Sequence, residues 1–242
     1  SGTSGQQIGT VGVAATVVSD TSARSVQNNV KPVVVSKKTS SAQSIVLLYN
    51  SNVQASDSSS LFTLKVDDAI KTITGVSFDR NEVTIQTSAT MTAASVVTIQ
   101  YTAGTTTKSI GSLHGAKAES IAANSPVTNR IAPVRVSLEA TGAQTIALTY
   151  NADIEASAIS GGISQFSINI GSISSVQISS KVVTITMSSN SFDATDAITL
   201  SYTADLSVQN KFLATEGGGV APNFAPQSVI NKVPPALVSK HV

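Results

Sequence analysis

The chain of 242 residues has no cysteine, no tryptophan and two histidines, His114 and His241. Without cysteine there are no disulfides, no thiolate zinc sites and no cysteine nucleophile. Two isolated histidines leave most acid–base chemistry without its usual residue. Charge is scarce as well. Charged residues make up 12% of the chain, about half the usual ~25%, and 15 Lys and Arg balance 14 Asp and Glu. A net charge of +1 supplies no field to steer DNA, RNA or anionic lipid, so no nucleic-acid partner is expected. No stretch approaches the roughly 18 apolar residues of a membrane-crossing helix, so no membrane span is expected. The Gly-x-Ser-x-Gly elbow, the phosphate-cradling Gly-x-x-x-x-Gly-Lys and the His-Glu-x-x-His metal motif are all missing. What remains is a chain that is 41% hydrophobic and about one quarter Ser and Thr, with solubility carried by hydroxyls in place of charges. That balance fits an exported, extracellular or cell-surface β-protein. The start at Ser1 reads either as a mature protein after leader removal or as a piece of something longer.

Self-comparison exposes two tandem copies. Ala42-Gln-Ser-Ile-Val-Leu-Leu-Tyr-Asn50 returns 101 positions later as Ala143-Gln-Thr-Ile-Ala-Leu-Thr-Tyr-Asn151. Val83-Thr-Ile-Gln-Thr matches Val183-Thr-Ile-Thr-Met, and Val97-Thr-Ile-Gln-Tyr-Thr-Ala103 matches Ile198-Thr-Leu-Ser-Tyr-Thr-Ala204. Within each copy the apolar residues alternate, as in Ile45, Leu47, Tyr49 and Ile146, Leu148, Tyr150, the period of a half-buried strand. Phe62, Leu64, Val66 and Phe166, Ile168, Ile170 repeat the pattern, and β-branched residues dominate throughout. Short strands separated by turn residues predict an all-β chain of two immunoglobulin-like antiparallel β-sandwiches with extended N- and C-terminal strands. The expected divisions are 1–29 as an N-terminal extended segment, 30–131 and 132–232 as the two repeats, and 233–242 as a C-terminal strand. Ala- and Ser-rich pieces at Gln54–Ser60 and Glu155–Gly161 predict helical turns. The recurring tyrosines and phenylalanines, Tyr49, Phe62, Tyr101, Tyr150, Phe166 and Tyr202, are expected in the cores.

A third string recurs. Val26-Gln-Asn28-Asn-Val30-Lys-Pro32 precedes the first copy, Val127-Thr-Asn129-Arg-Ile131-Ala-Pro133 joins the two, and Val229-Ile-Asn231-Lys-Val233-Pro-Pro235 follows the second. Two repeats therefore carry three junctions, and the chain reads as opening on the last strand of one repeat and closing on the first strand of another. An isolated strand such as Ile8–Val18 is unstable in water and calls for a sheet edge to join. The residues expected to mediate self-assembly are Ile8, Val11, Val13, Val17 and Val18 at one end and Val233, Leu237 and Val238 at the other. The expected partner is another copy of the chain, as a homo-oligomer or helical polymer. No cofactor and no surface ligand are marked.

The pattern Tyr49-Asn50, Val53-x-Ala55-Ser56, Phe62-x-Leu64, Val83-Thr-Ile85, Val97-Thr-Ile99-x-Tyr101 and Val127-x-Asn129 resembles the repeat of the cyanobacterial swimming-motility surface protein, also known as a flagellar-system-associated repeat. The resemblance covers roughly residues 30 to 232. It implies an immunoglobulin-like structural or adhesive module of a bacterial surface, without known chemistry. The closing Asp-x-x-Gly-Asn of that repeat is absent, its place taken by Ser112-Leu-His-Gly115-Ala and Thr215-Glu-Gly-Gly-Gly219.

The residues offer little chemistry. His114 has no carboxylate or second histidine near it in sequence and reads as a loop residue. Asp67-Asp68 and Asp193-Ala-Thr-Asp196 could lend oxygens to Ca²⁺ but read first as turns whose side chains bond local backbone. Gly217-Gly-Gly219 reads as a flexible turn. The expectation is therefore no enzyme, no metal site and no catalytic residue. The expected role is a structural subunit of an extracellular filament or surface assembly that polymerises head-to-tail by strand addition. The alternative is a spacer or ligand-binding module of a long surface adhesin.

Overall fold

The computed structural model describes residues 29–55, 59–104, 109–155, 159, 162–189, 192–208 and 211–235. Among them every named element is a strand or a short 3-10 turn, as the alternation predicts. The first repeat supplies β1 (Val34–Ser41), β2 (Ser44–Tyr49), β3 (Val53–Gln54), β4 (Phe62–Val66), β5 (Ala69–Lys71), β6 (Ile73–Asp79), β7 (Glu82–Thr87), β8 (Val97–Tyr101), β9 (Gly111–Ser112) and β10 (Ile121–Pro126). The second supplies β11 (Arg135–Gly142), β12 (Thr145–Tyr150), β13 (Phe166–Ile168), β14 (Ser172–Ser179), β15 (Val182–Ser189), β16 (Thr199–Tyr202), β17 (Phe224–Ser228) and β18 (Ile230–Asn231). The anticipated helical turns form as 3-10 turns at Ser59–Leu61 and Gly162–Gln165, at or just past the stretches expected for them.

In the first repeat the sheets run β1-β2-β7-β6 and β10-β8-β4-β5, with β3 and β9 as a separate pair. In the second they run β14-β15-β12-β11-β18 and β13-β16-β17. The hairpins are tight because their turn residues accept positive φ. Arg80 (54°) lies between β6 and β7, Ser180 (52°) between β14 and β15, and Asp67 and Asp68 (53° and 62°) between β4 and β5. Two consecutive positive φ values are the signature of a type I′ hairpin turn, whose twist matches that of its strands.

Two cores result. Alternate residues of β2 and β7 meet in register, Ile45 opposite Ile85 and Leu47 opposite Val83. They pack against Phe62, Leu64, Val97, Ile99 and Tyr101 of the facing sheet. The second repeat reproduces this, with Ile146 opposite Ile185 and Leu148 opposite Val183, packed on Phe166, Leu200 and Tyr202. All six recurring aromatics are buried. The Phe62–Tyr101 and Phe166–Tyr202 ring centroids stand 5.2 and 5.1 Å apart, within the range of favourable tilted pairs. Long connections are pinned to these rings: the Tyr101 hydroxyl accepts the Ile110 N–H at 2.9 Å, and the Tyr202 hydroxyl accepts the Leu213 N–H at 2.6 Å. Ile110, Met91, Phe192 and Leu213 thus complete the cores from outside the strands, where no periodicity marks them.

Candidate functional site

The middle and C-terminal junction strings each close the repeat that precedes them. Thr128 lies parallel to β1, donating its N–H to Lys37 O at 2.9 Å and accepting from Thr39 N–H at 3.0 Å. β18 lies parallel to β11 in the same way, Ile230 beside Glu139 and Asn231 beside Ala140. The asparagine of each of these two strings acts as a plug. Asn129 Nδ2 donates to the carbonyls of Thr92 (2.8 Å), Ser95 (2.9 Å) and Ala93 (3.3 Å), while its Oδ1 accepts the Ile131 N–H at 3.1 Å. Asn231 Nδ2 donates to Asp193 O (2.7 Å) and Asp196 O (3.2 Å), and its Oδ1 accepts the Val233 N–H at 3.0 Å. The recurrence of the strings was visible in the sequence, but the role of Asn129 and Asn231 was not, because their partners lie 34–38 positions away.

The joint between the repeats is built on Gly217 and Gly219. Thr215-Glu-Gly-Gly-Gly219 is a hairpin turn, closed by Thr215 N–H to Gly219 O at 2.9 Å and Gly218 N–H to Thr215 O at 2.8 Å, with Gly218 at φ 84°. A Cβ on Gly217 would overlap the Asn129 carbonyl, and one on Gly219 would overlap the Ile131 carbonyl. The run expected to be a flexible turn is therefore a site of close backbone approach, which only glycine permits. Beside it lies a groove of about 710 Å³, with Val96 and Asn129 on one wall and Asp153, Lys181 and Glu216 on the other.

The corresponding end of the first repeat differs. Its hairpin, Ser112-Leu-His-Gly-Ala116, has the same bonds, Ser112 N–H to Ala116 O at 2.8 Å and Gly115 N–H to Ser112 O at 3.0 Å, and the same positive φ at Gly115. His114 and Ala116 stand where Gly217 and Gly219 stand in the second repeat, so the close approach seen at the joint is denied here. A groove of about 400 Å³ remains open between Val30, Asn50, Asn52, Leu113 and His114, and Val30 is 68% exposed.

Of the eight residues assigned to self-assembly, the structure describes one. Val233 packs, half-buried, against the second core of its own chain, as Ile131 packs against the first. Up to that point the C-terminal string packs within its own chain and closes repeat two, as the middle string closes repeat one before running on into β11. Ile8, Val11, Val13, Val17, Val18, Leu237 and Val238 lie outside the described residues.

The acidic pairs serve turns. Asp67 Oδ1 accepts the Val96 N–H at 2.8 Å. Asp193 Oδ1 accepts the N–H and Oγ1–H of Thr195 at 2.8 and 2.6 Å, and Asp196 Oδ2 accepts the Asp193 N–H at 2.8 Å. The Thr195 hydroxyl holds the Asp193 carboxyl below the usual carboxylate range, as the Ser207 hydroxyl does for Asp205. No group of three or more His, Cys, Asp or Glu gathers among the described residues. His114 is exposed in its hairpin turn, its N–H donating to Ser112 Oγ at 3.3 Å. No helix among the described residues is long and apolar enough to cross a membrane.

No protein-family model matches the chain, and no curated protein matches it. Among solved structures it is similar to the N-terminal part of the bacterial S-layer protein SbsC, with a TM-score of 0.36 and 10% identity over 83% of this chain and 44% of that one. It is similar also to the S-layer protein rSbsC(31-844), with a TM-score of 0.34 and 10% identity over 84% of this chain and 26% of that one. The chain thus spans less than half the length of either.

Proposed function

We propose that the chain is an exported structural subunit of an extracellular filament or cell-surface assembly, polymerising head-to-tail by addition of an N-terminal strand of one copy to a sheet of the next. One observation carries the reading. Each repeat is closed by its own junction string, through Thr128 on β1 and Ile230–Asn231 on β11. The repeat pattern is therefore complete without Ile8–Val18, a segment whose apolar Ile8, Val11, Val13, Val17 and Val18 need a sheet to cover them. A strand offered to another molecule makes a heterologous contact that does not close on itself, and such contacts build fibres. The glycine-pressed joint suits this role, since a filament transmits force along its subunits through contacts of low compliance. Membership of the motility-protein repeat class, with its surface location, belongs to the same reading, and the chain is assigned no catalytic role.

Removing residues 1–25 is expected to abolish polymers seen by electron microscopy while leaving cooperative unfolding of the β-domains. Polymers that persist after the deletion refute the proposal. The alternative, a spacer within a longer repeat array, draws on the string Val26–Pro32, which copies those that close both repeats. Native mass separates the two, because a spacer stays monomeric at every concentration.

A further inference from the structure

The two repeats differ at one sheet edge. In the first, β4 turns through Asp67 and Asp68 and returns as β5, which pairs Ala69, Ile70 and Lys71 with Val66, Lys65 and Leu64. In the second, the chain takes a shorter route. Val83 lies 21 positions after Phe62, but Val183 lies only 17 after Phe166, and the missing residues are the β5 arm. Asn169 makes the shortcut possible. Its N–H donates to Thr199 O at 3.3 Å while its Oδ1 accepts the Thr199 N–H at 2.7 Å and its Nδ2 donates to Ala197 O at 2.8 Å, closing the ladder two residues earlier than Asp67, which accepts the Val96 N–H, closes it in the first repeat. The backbone then turns through Gly171 at φ 73° into β14.

β13 is consequently the outer strand of its sheet, and no described strand pairs with its far side. The bond from Thr203 N–H to Gln165 O at 2.9 Å sets the phase of the ladder. Ser167 faces β16, and the main-chain amides of Phe166 and Ile168 turn toward the open edge, by the alternation of antiparallel pairing. Alongside run Ile168, Ile170, Ile173, Val176 and Ile178, each only partly buried against the second core.

We propose that this edge of β13 receives the Ile8–Val18 segment of a second copy, a strand supplied in trans where the first repeat supplies β5 in cis. The inference rests on the strand-addition reading and names its acceptor. The first repeat shows what the edge takes, a short extended strand, Ala69-Ile70-Lys71, held through its main chain, with the Ile70 side chain 71% exposed. Val11-Gly-Val13 and Val13-Ala-Ala-Thr-Val17 offer branched apolar residues spaced by small ones, which pass close to an edge. The occupant comes from a second copy for a reason of reach. The chain enters the first repeat beside Asn50, Asn52 and Leu113, the end opposite the Ala93–Val96 loop that meets the second repeat. Residues 19–28 span about 35 Å at full extension, roughly the diameter of one domain of ~100 residues. A chain's own segment would therefore have to pass the whole first repeat fully stretched.

The cysteine-free chain makes the test direct. Chains carrying Ser167→Cys, an exposed position on β13, are mixed with chains carrying Gly12→Cys, Ala14→Cys or Thr16→Cys in turn. The mixtures are polymerised, oxidised and run on non-reducing gels. Neighbouring positions on paired strands stand within disulfide reach, so one donor position is expected to shift the monomer band to twice its mass. Lys65→Cys, opposite Ile70 of β5, is expected to give no such band because β5 already covers that part of the edge. Polymers that form without any cross-link to Ser167→Cys, equal cross-linking to Lys65→Cys, or a faster-running, self-cross-linked band from a single chain carrying Ser167→Cys together with the donor cysteine each overturn the assignment of the acceptor. Polymers that survive loss of residues 1–25, or full-length chains that never polymerise, overturn the strand-addition reading itself.

Discussion

Asn129→Ala tests whether the junction string is a structural plug. The side chain reaches three carbonyls with two hydrogens, at 2.8, 2.9 and 3.3 Å, and accepts from Ile131 N–H at 3.1 Å and from Thr39 Oγ1–H at 3.3 Å. About three bonds of good geometry are lost, each worth about 0.5–1.5 kcal/mol net. Their partial exposure favours the lower half of that range. The expected cost is about 1.5–3 kcal/mol, which for a domain of this size lowers Tm by about 6–24 °C. Only the first repeat is affected, because the second has its own plug in Asn231, so calorimetry should resolve one shifted and one unshifted transition. Asn129→Asp is expected to be worse than alanine at pH 7, since it sets a carboxylate against the carbonyls of Thr92, Ala93 and Ser95. That environment raises the folded-state pKa of the introduced acid above its unfolded value of about 3.9. The penalty therefore grows as pH rises through the unfolded value and shrinks in acid, where both states are protonated. A shift under about 2 °C for the alanine variant, or an aspartate variant at least as stable as alanine at pH 7, refutes the reasoning.

Other outcomes follow from the tyrosines and the joint. The Tyr49 and Tyr150 hydroxyls are buried with no hydrogen-bond partner among the described residues, so Tyr49→Phe and Tyr150→Phe should be neutral or slightly stabilising in urea titrations. Tyr101→Phe and Tyr202→Phe strip the acceptor from buried Ile110 and Leu213 N–H groups and should cost about 1–3 kcal/mol each. Burial raises all four phenols above their usual value. The unfolded state thus loses its phenolic protons first, near pH 10, and stability present below that pH should fall as pH rises past it. Absorbance at alkaline pH should show phenolate appearing together with unfolding, and phenolate forming in the native state near pH 10 would contradict it. Gly217→Ala and Gly219→Ala force the hairpin off the Asn129 and Ile131 carbonyls, an overpacking cost of about 1–3 kcal/mol. Small-angle scattering should show a larger radius of gyration with both unfolding transitions retained, and an unchanged radius would count against a glycine-dependent joint.

Much of the architecture was legible in the sequence because strand alternation is a local property. Ile45, Leu47, Tyr49 and their counterparts 101 positions on had to share one face, and a period of two places that face against a core wherever the strand goes. The repeat then fixed that this happens twice. The core residues Met91, Ile110, Phe192 and Leu213 escaped notice because they enter from loops, pinned by a tyrosine hydroxyl or a turn that no periodicity announces. The candidate surfaces were harder still. The sequence shows that the string Val229–Pro235 recurs, but only the fold shows Val233 packed on the second core.

Sequence alone thus determined the all-β composition and the aromatic core, written in residues a few positions apart, and the duplication, written in the return of that pattern 101 positions on. Only the tertiary structure decided that Asn129 and Asn231 plug loops more than thirty residues away, that Gly217 and Gly219 are pressed against a linker more than eighty residues upstream, and that a four-residue deletion after Ile168 leaves β13 at an edge. These facts depend on which strands lie side by side, and strand pairing is set by the packing of the whole sheet and not by any single stretch of chain.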